Sequence, residues 1–262
     1  MSSPRSRLSS FWIALGLITG LYLLFILSML AATAAYTTPG HWWRALAARE
    51  IRYSIGLSLA TCTATALLSL LLAVPVGYLL SRGRFRGKSM LDAALDVPIV
   101  LPPMVVGLCL LILFQTPFGR AVESVVPFTY TVAGVVLAQF VIGAAFAVRT
   151  MRGTFDHLSP RPENVAMTLG CSRGRAVWLV TLPAARRGMF AAASIAWARS
   201  LGEFGPILVF AGATRMKTEV LPTSVWLELS VGNLEAAVAV SILMVALAMV
   251  VLVAVRLAGE KV

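Results

Sequence analysis

The chain has 262 residues, of which 59% are hydrophobic and only 13% are charged. Ordinary soluble domains contain about 45–50% apolar and about 25% charged residues, so this chain has too few charges to cover a water-facing surface, and a soluble enzyme is excluded. The 22 Lys and Arg residues outnumber the 11 Asp and Glu residues, and the net charge of +11 raises the question of where these cations lie relative to a membrane.

Six apolar stretches are long enough to cross a hydrocarbon core of about 30 Å as helices. The sequence therefore predicts an all-α integral membrane protein with six transmembrane helices. The first stretch is interpreted as a retained helix, because its apolar run exceeds the core of a signal peptide. The third begins among Pro98, Pro102 and Pro103, which predict a broken segment shielded from lipid. The predicted spans are Phe11–Tyr36, Ser54–Leu80, Val97–Phe114, Thr131–Val148, Gly188–Ala211 and Ala236–Val255.

The basic residues outside the spans are unequally divided between the two sides of the membrane. With the N-terminus in the cytoplasm, fifteen fall in cytoplasmic segments and six in outer segments, so the positive-inside rule predicts that both termini are cytoplasmic. Because these cations are spread over separate segments with no binding module, no nucleic-acid partner is expected. The cytoplasmic set is Arg5, Arg7, Arg82, Arg84, Arg86, Lys88, Arg149, Arg152, Arg161, Arg173, Arg175, Arg186, Arg187, Arg256 and Lys261, and the outer set is Arg44, Arg49, Arg52, Arg120, Arg215 and Lys217.

A cytoplasmic connection at residues 149–187 is far longer than a turn between the fourth and fifth spans requires. Ser159-Pro160 predicts the start of a short helix, and Glu163 suits the positive end of its dipole. Gly170 predicts where this helix stops, and Ser172 opens a second one. The connection is either a loop held on the lipid headgroups by its arginines or a docking element for a cytoplasmic partner.

The spacing within this connection resembles the signature loop of permease subunits in binding-protein-dependent, ATP-driven importers. That signature is Glu-Ala-Ala, three residues, Gly, nine residues, and Ile-x-Leu-Pro. Asn164 replaces the Glu, and Glu163 is a candidate to supply the missing charge. The first Ala and the Ile are also replaced. The matching positions are Asn164, Val165, Ala166, Gly170, Val180, Leu182 and Pro183.

The resemblance implies that the first short helix is a coupling helix seated in a groove of an ATPase subunit. The residues it assigns to the coupling loop are Glu163, Asn164, Ala166, Gly170, Leu182 and Pro183. It further implies two paired permeases, usually identical, two cytoplasmic ATPase subunits and an extracytoplasmic oxyanion-binding protein, in the cell membrane of a bacterium or archaeon. Residues 1–53 would form an N-terminal helix and outer loop, residues 54–257 the permease domain, and residues 258–262 a cytoplasmic tail.

No motor or active site is evident in the chain itself. The run Gly83–Ser89 has three residues between its glycines, whereas a phosphate-binding loop has four and follows a strand. Cys62, Cys109 and Cys171 are an odd number without C-x-x-C spacing, so neither a disulfide framework nor a metal site is expected. The prediction is therefore a transport subunit without catalytic residues or cofactor, with ATP and Mg bound by the separate ATPase.

Two further segments resemble molybdate, tungstate and sulfate permeases in particular. One runs from Phe85 to Gly107 and contains the double proline, and the other is Ala198–Gly205 followed by Ala211-Gly212 and Leu221-Pro222. The runs at Gly119-Arg120 and at 232–237 favour molybdate or tungstate over sulfate or thiosulfate as the cargo. A secondary transporter driven by an ion gradient is the alternative from another class, but it would need inverted repeats and a relay of buried acids or histidines.

Arg199 and Glu203 are the ionisable residues well inside a predicted span. Their i, i+4 spacing places them on one face of a helix, where they form either a structural ion pair or a contact for the anion. The ion pair is favoured, because a strong fixed anion site would hold the cargo instead of releasing it. Bends or close helix contacts are expected at four neighbouring pathway or structural candidates, namely Pro102, Pro103, Gly202 and Gly205.

Overall fold

The computed structural model describes residues 10–36 and 38–261, and every regular element in these ranges is a helix. Arg5 and Arg7, which the charge argument places in the cytoplasm, lie outside the described residues, as does Val262 of the predicted tail. The helices are α1 Ser10–Ala35, α2 Pro39–Ala47, α3 Arg49–Arg82, α4 Lys88–Val100, α5 Pro103–Gln115, α6 Pro117–Glu123, α7 Val132–His157, α8 Arg161–Thr168, α9 Arg173–Ala176, α10 Leu182–Ala184, α11 Arg186–Leu201, α12 Gly205–Phe210, α13 Leu221–Ser230 and α14 Leu234–Lys261, with a π-helical turn at Val177–Thr181.

Four helices in the described part of the chain are individually long and apolar enough to cross a membrane, namely α1, α3, α7 and α14. They coincide with the first, second, fourth and sixth predicted spans. Helix α7 continues nine residues past the predicted end at Val148, because Met151 and Phe155 extend its buried face. The boundary predicted at residue 54 falls inside α3, and the division into three units stays a prediction.

The third and fifth predicted spans differ from single continuous helices. Helices α4 and α5 are bent by 111° at Leu101-Pro102, because Pro103 cannot continue the hydrogen-bond ladder and instead starts α5. Helix α11 ends at Leu201 and the chain becomes helical again only at Gly205. Pro206 explains this second break, because it has no N–H to donate to the carbonyl of Gly202.

The centre of the molecule is formed by α3, α7 and α11, which pack through small side chains. Ala66 and Ala73 of α3, Ala147 of α7 and Ala192 of α11 are buried in one cluster. At Gly77 an added Cβ would lie 2.8 Å from Cβ of Met151, so α3 and α7 approach closely at that point. Close approach of helices through small residues is typical of membrane proteins. This trio carries the candidate site at one end and the break in the fifth segment at its other end.

Candidate functional site

The predicted coupling loop begins with α8 and reverses at Gly170. Helix α8 starts at Arg161 with Pro160 at the cap position, so the predicted start is one residue early, and Ser159 Oγ accepts a hydrogen bond from Arg161 N at 3.3 Å. Gly170 has φ +94°, which confirms its predicted left-handed conformation. Cys171 N donates to the carbonyl of Ala166 at 3.1 Å and closes the end of the helix.

Glu163 is turned into the protein and is only 6% exposed. Its Oε1 accepts a hydrogen bond of 2.5 Å from the hydroxyl of Tyr78 in α3, and its Oε2 accepts one of 2.8 Å from Thr181 in the π-helical turn. Glu163 was the candidate to supply the charge that Asn164 lacks, and the structure places its carboxylate inside the protein. This carboxylate joins α8 to both the transmembrane helix α3 and the segment that leads into α11.

The opposite side of α8 and the residues that follow it are exposed and carry both apolar and polar side chains. Asn164 lies on it, Val165 and Leu169 are exposed, and Ala166 is half-buried beside them. Trp178 in the following turn is also exposed. An exposed apolar patch of this kind is typical of a protein–protein contact, so the loop has one face tied to the molecule and another available to a partner.

The loop returns to the membrane through Leu182 and Pro183. Leu182 packs partly buried against the cluster around Ala147, whereas Pro183 is exposed and lies in the first turn of α10. The π-helical turn at Val177–Thr181 precedes them, and Thr181 is buried because of its hydrogen bond to Glu163. The conformation of this segment therefore depends on the same carboxylate that anchors α8.

Polar contacts connect the end of α3, the start of α4 and the end of α7 beside the loop. Arg152 of α7 pairs with Asp92 of α4, and Ser81 Oγ donates to Asp156 Oδ1 at 2.6 Å. The carbonyl of Leu158 accepts a hydrogen bond of 2.6 Å from the guanidinium of Arg82. The partner of Asp92 lies on α7, because the fold brings α4 and α7 together.

The breaks in the third and fifth segments lie side by side. An added Cβ at Gly107 of α5 would lie 2.8 Å from Cα of Pro206, and one at Gly205 would lie 3.0 Å from the backbone nitrogen of Met104. These distances leave no room for side chains, so the two glycines let α5 and α12 cross in direct contact. Pro102 and Pro103 are exposed at the start of α5, and Gly202 is exposed at the end of α11.

Arg199 and Glu203 form an ion pair in the broken fifth segment. Nη2 of Arg199 donates to Oε1 of Glu203 at 2.5 Å, and the guanidinium lies 5.1 Å from the ring centroid of Phe146 in α7. The Glu203 side chain is 3% exposed, but that of Arg199 is 41% exposed. The pair thus forms within its own segment, with the aromatic ring as its contact to a neighbouring helix.

Gln139 in the middle of α7 is an important residue that sequence analysis missed. It is 1% exposed, its Oε1 accepts from Thr65 Oγ1 of α3 at 3.2 Å, and its Nε2 donates to the carbonyl of Ser200 at 3.1 Å. That carbonyl lies in the last turn of α11 and also accepts a hydrogen bond from Glu203 N at 3.2 Å, so the amide adds a second hydrogen bond there and ties the end of α11 to α7. A lone amide within an apolar span was the sequence signal that would have found it.

A polar cavity of about 230 Å³ lies between α2, the start of α3, α13 and the start of α14. Arg215 and Glu228 pair across it at 2.8 Å, and Asn233 donates to the same carboxylate at 2.9 Å. The hydrogen bond that Arg215 donates to the carboxylate of Glu228 raises the pKa of Arg215 above its ordinary value. Over the part of the chain that the structure describes, no group of three or more His, Cys, Asp or Glu side chains is placed to hold a metal ion.

Comparison with known proteins gives consistent matches over most of the chain. Residues 73–262 match the family described as binding-protein-dependent transport system inner membrane component. The chain is 34% identical over 247 residues to the molybdenum transport system permease protein ModB of Mycobacterium tuberculosis, covering 93% of this chain and 92% of that protein. It is 41% identical over 154 residues to the molybdate/tungstate transport system permease protein WtpB of Pyrococcus abyssi, covering 59% and 58%. It is 29% identical over 256 residues to the sulfate transport system permease protein CysT of Escherichia coli, covering 95% and 92%.

Two solved structures share the fold at low sequence identity. A bacterial ABC transporter involved in the import of alginate superposes with a TM-score of 0.76 and 15% identity, covering 97% of each chain. A bacterial alginate ABC transporter in complex with a pentasaccharide-bound periplasmic protein superposes with a TM-score of 0.73 and 15% identity, covering 95% of this chain and 94% of that one. The arrangement of helices described above is therefore one that known transporters share.

Proposed function

The chain belongs to the family of binding-protein-dependent transport system inner membrane components, and from that premise we propose that it forms the membrane pathway of an ATP-driven importer for molybdate or tungstate. The observation that carries this cargo is the likeness to the molybdenum and molybdate/tungstate permeases, at 34% and 41% identity. Sulfate or thiosulfate is the second candidate, supported by the sulfate permease at 29% identity.

The proposed topology has six crossings with both termini in the cytoplasm of a bacterium or archaeon. Helices α1, α3, α7 and α14 are four of these crossings, and the broken pairs α4–α5 and α11–α12 are the other two. The excess of basic residues in the segments assigned to the cytoplasm supports this orientation. Broken helices within a bilayer need shielding by protein, and the contact between α5 and α12 at Gly107 and Gly205 supplies it.

The proposed drive comes from two cytoplasmic ATPase subunits that bind ATP and Mg. The exposed side of α8, with the apolar Val165 and Leu169, would seat in a groove of each ATPase. Because Asn164 is neutral, this contact relies on packing more than on charge. The buried Glu163 ties α8 to α3 and to Thr181, so a displacement of α8 would reach the transmembrane helices without a flexible link.

The proposed assembly pairs this permease with a second copy around a two-fold axis that contains the pathway. An extracytoplasmic oxyanion-binding protein would deliver the cargo to the outer side. ATP binding would bring the ATPases and the two coupling helices together and turn the pathway outward, and hydrolysis would reset it. This chain would position helices and cargo, and it would take no part in covalent chemistry.

The test is ATPase activity of the complex reconstituted in lipid vesicles with its ATPase subunit and its binding protein. Binding protein loaded with molybdate or tungstate should stimulate ATP hydrolysis and uptake, whereas sulfate-loaded protein should not. Stimulation by sulfate alone would favour the second candidate. Uptake driven by an ion gradient, with no ATPase attached, would replace the importer with a secondary transporter.

A further inference from the structure

We propose that the exposed side of Arg199 faces the translocation pathway and contacts the oxyanion in transit, an inference that rests on the proposed function. Arg199 lies 13 residues after Arg186, the first residue of α11, which is about 20 Å along a helix. Its side chain is nevertheless 41% exposed in the single chain. At such depth an arginine is rarely turned toward lipid, because its charge is costly to dehydrate, so the exposed side faces water or another protein chain.

The guanidinium of Arg199 has hydrogen-bonding capacity that its known contacts do not use. One N–H of Nη2 is directed to Glu203, and Nε is buried out of an anion's reach, so the donors left for an anion are the other N–H groups of Nη1 and Nη2. A guanidinium carries five N–H donors in a planar fork, and that fork matches the oxygens of a tetrahedral oxyanion. The ring of Phe146 lies against the fork at 5.1 Å and restrains it.

Glu203 explains how such a contact can be weak enough for transport. Its side chain is 3% exposed, so the carboxylate lies behind the guanidinium and away from the exposed side. The carboxylate compensates the positive charge, and an arriving anion therefore meets a partly neutralised cation that does not retain it. In a two-fold pair, two Arg199 side chains would flank the axis, which matches the two negative charges of molybdate.

The chain offers a matched control pair outside the membrane. Arg215 and Glu228 pair at 2.8 Å, and their side chains are 41% and 8% exposed, values close to those of Arg199 and Glu203. Both pairs can be neutralised by double substitution with Gln, which removes two opposite charges together and keeps hydrogen-bonding groups in place. If only R199Q/E203Q loses uptake, the loss follows from the position of that pair in the pathway and not from the removal of an ion pair in general.

The experiment measures molybdate uptake per ATP hydrolysed in vesicles, with molybdate-loaded binding protein outside. We expect R199Q/E203Q to lower this ratio at least tenfold, and R215Q/E228Q to stay within about twofold of wild type. R199K should lower it by about threefold to tenfold, because Lys keeps the charge but lacks the planar fork. Wild-type uptake by R199Q/E203Q, or an equal loss in both double variants, would overturn the inference. Absence of oxyanion uptake in the wild type would instead refute the proposed function.

A second measurement tests directly whether position 199 is reached from water. In R199C/E203Q, with Cys109 and Cys171 replaced by Ala, the remaining Cys62 is buried. A charged, water-soluble methanethiosulfonate reagent should label Cys at position 199, and a cationic reagent should restore uptake that an anionic one does not. A thiol at position 199 that the charged reagents cannot reach would contradict a pathway-facing Arg199.

Discussion

The hydroxyl of Tyr78 donates a hydrogen bond of 2.5 Å to the buried carboxylate of Glu163, and this contact joins the transmembrane helix α3 to α8 of the coupling loop. The two residues are 85 positions apart in sequence. The second oxygen of the same carboxylate binds Thr181, at the entry to the fifth segment. A displacement of α8 therefore acts on α3 through Tyr78 and on the start of the fifth segment through Thr181.

Tyr78→Phe should weaken the contact between α3 and α8, because it removes the hydroxyl but keeps the aromatic ring. The lost hydrogen bond to a carboxylate contributes about 1.5–3 kcal/mol, so α8 should follow the ATPase without moving α3 as effectively. We expect molybdate uptake per ATP to fall severalfold while the ATPase still binds. Tyr53→Phe is the control, because it removes a tyrosine hydrogen bond of 3.1 Å, to the carbonyl of Lys217, near the other end of α3. Equal effects of both variants would contradict a specific role for Tyr78.

Gly170→Ala should strain the coupling loop, whereas Gly174→Ala should not. Neither glycine has an atom within 4 Å of an added Cβ, but only Gly170 has a positive φ, of +94°. A side chain in that conformation costs about 1–2 kcal/mol. We expect weaker binding of the ATPase by Gly170→Ala, and uncoupling by Gly170→Asp, in a co-purification and ATPase assay. Normal coupling in Gly170→Asp would remove the loop from the mechanism.

Gly107→Ala should separate the two broken segments. The added methyl group would lie 2.8 Å from Cα of Pro206, so α5 and α12 would have to move apart. Overpacking of this kind costs about 1–3 kcal/mol. The measurement is thermal unfolding of the purified chain in detergent, with Gly56→Ala as the control because nothing lies within 4 Å of its added Cβ. An unchanged transition temperature for Gly107→Ala would show that the segments are not in direct contact.

Gln139→Leu should destabilise the end of α11. It removes one of the two hydrogen bonds at the carbonyl of Ser200, which keeps the one from Glu203 N, and one of the two at the hydroxyl of Thr65, which keeps the one to the carbonyl of Val136. Each lost hydrogen bond contributes about 0.5–1.5 kcal/mol. We expect a lower unfolding temperature and slower uptake at unchanged affinity for the ATPase. Gln115→Leu is the matched control, because Gln115 is exposed at the end of α5. An equal decrease in unfolding temperature in both variants would argue against a specific role for the buried amide of Gln139.

Hydropathy predicted the long helices well, because an unbroken apolar run of about 20 residues has few structural alternatives. Hydropathy alone did not show the break in the fifth segment, since Gly202 and Pro206 lie inside the predicted span Gly188–Ala211. The expectation of a bend or close contact at Gly202 and Gly205 came from residue type. The bend at Leu101-Pro102 could be anticipated from the double proline, but its angle of 111° depends on packing against α12. Local chemistry thus indicates that a helix stops, and tertiary contacts decide where the chain goes next.

In the coupling loop, too, local residue type predicts some features and tertiary contacts determine others. The left-handed turn at Gly170 followed from the residue type alone, because glycine adopts positive φ at little cost. The direction of the Glu163 side chain could not be predicted from residue type, since its partners Tyr78 and Thr181 come from other elements and no local pattern identifies them. The roles assigned to Asn164, Ala166, Leu182 and Pro183 stay predictions that rest on spacing.

The most direct test of the account compares vesicles that contain this permease alone with vesicles that also contain its ATPase partner, each supplied with molybdate-loaded binding protein. We predict that molybdate accumulates only when the ATPase is attached and ATP is hydrolysed, and that the Glu163→Ala variant hydrolyses ATP with little accumulation. Accumulation by the permease alone would contradict the central claim that a cytoplasmic motor drives this pathway through the loop anchored by Glu163.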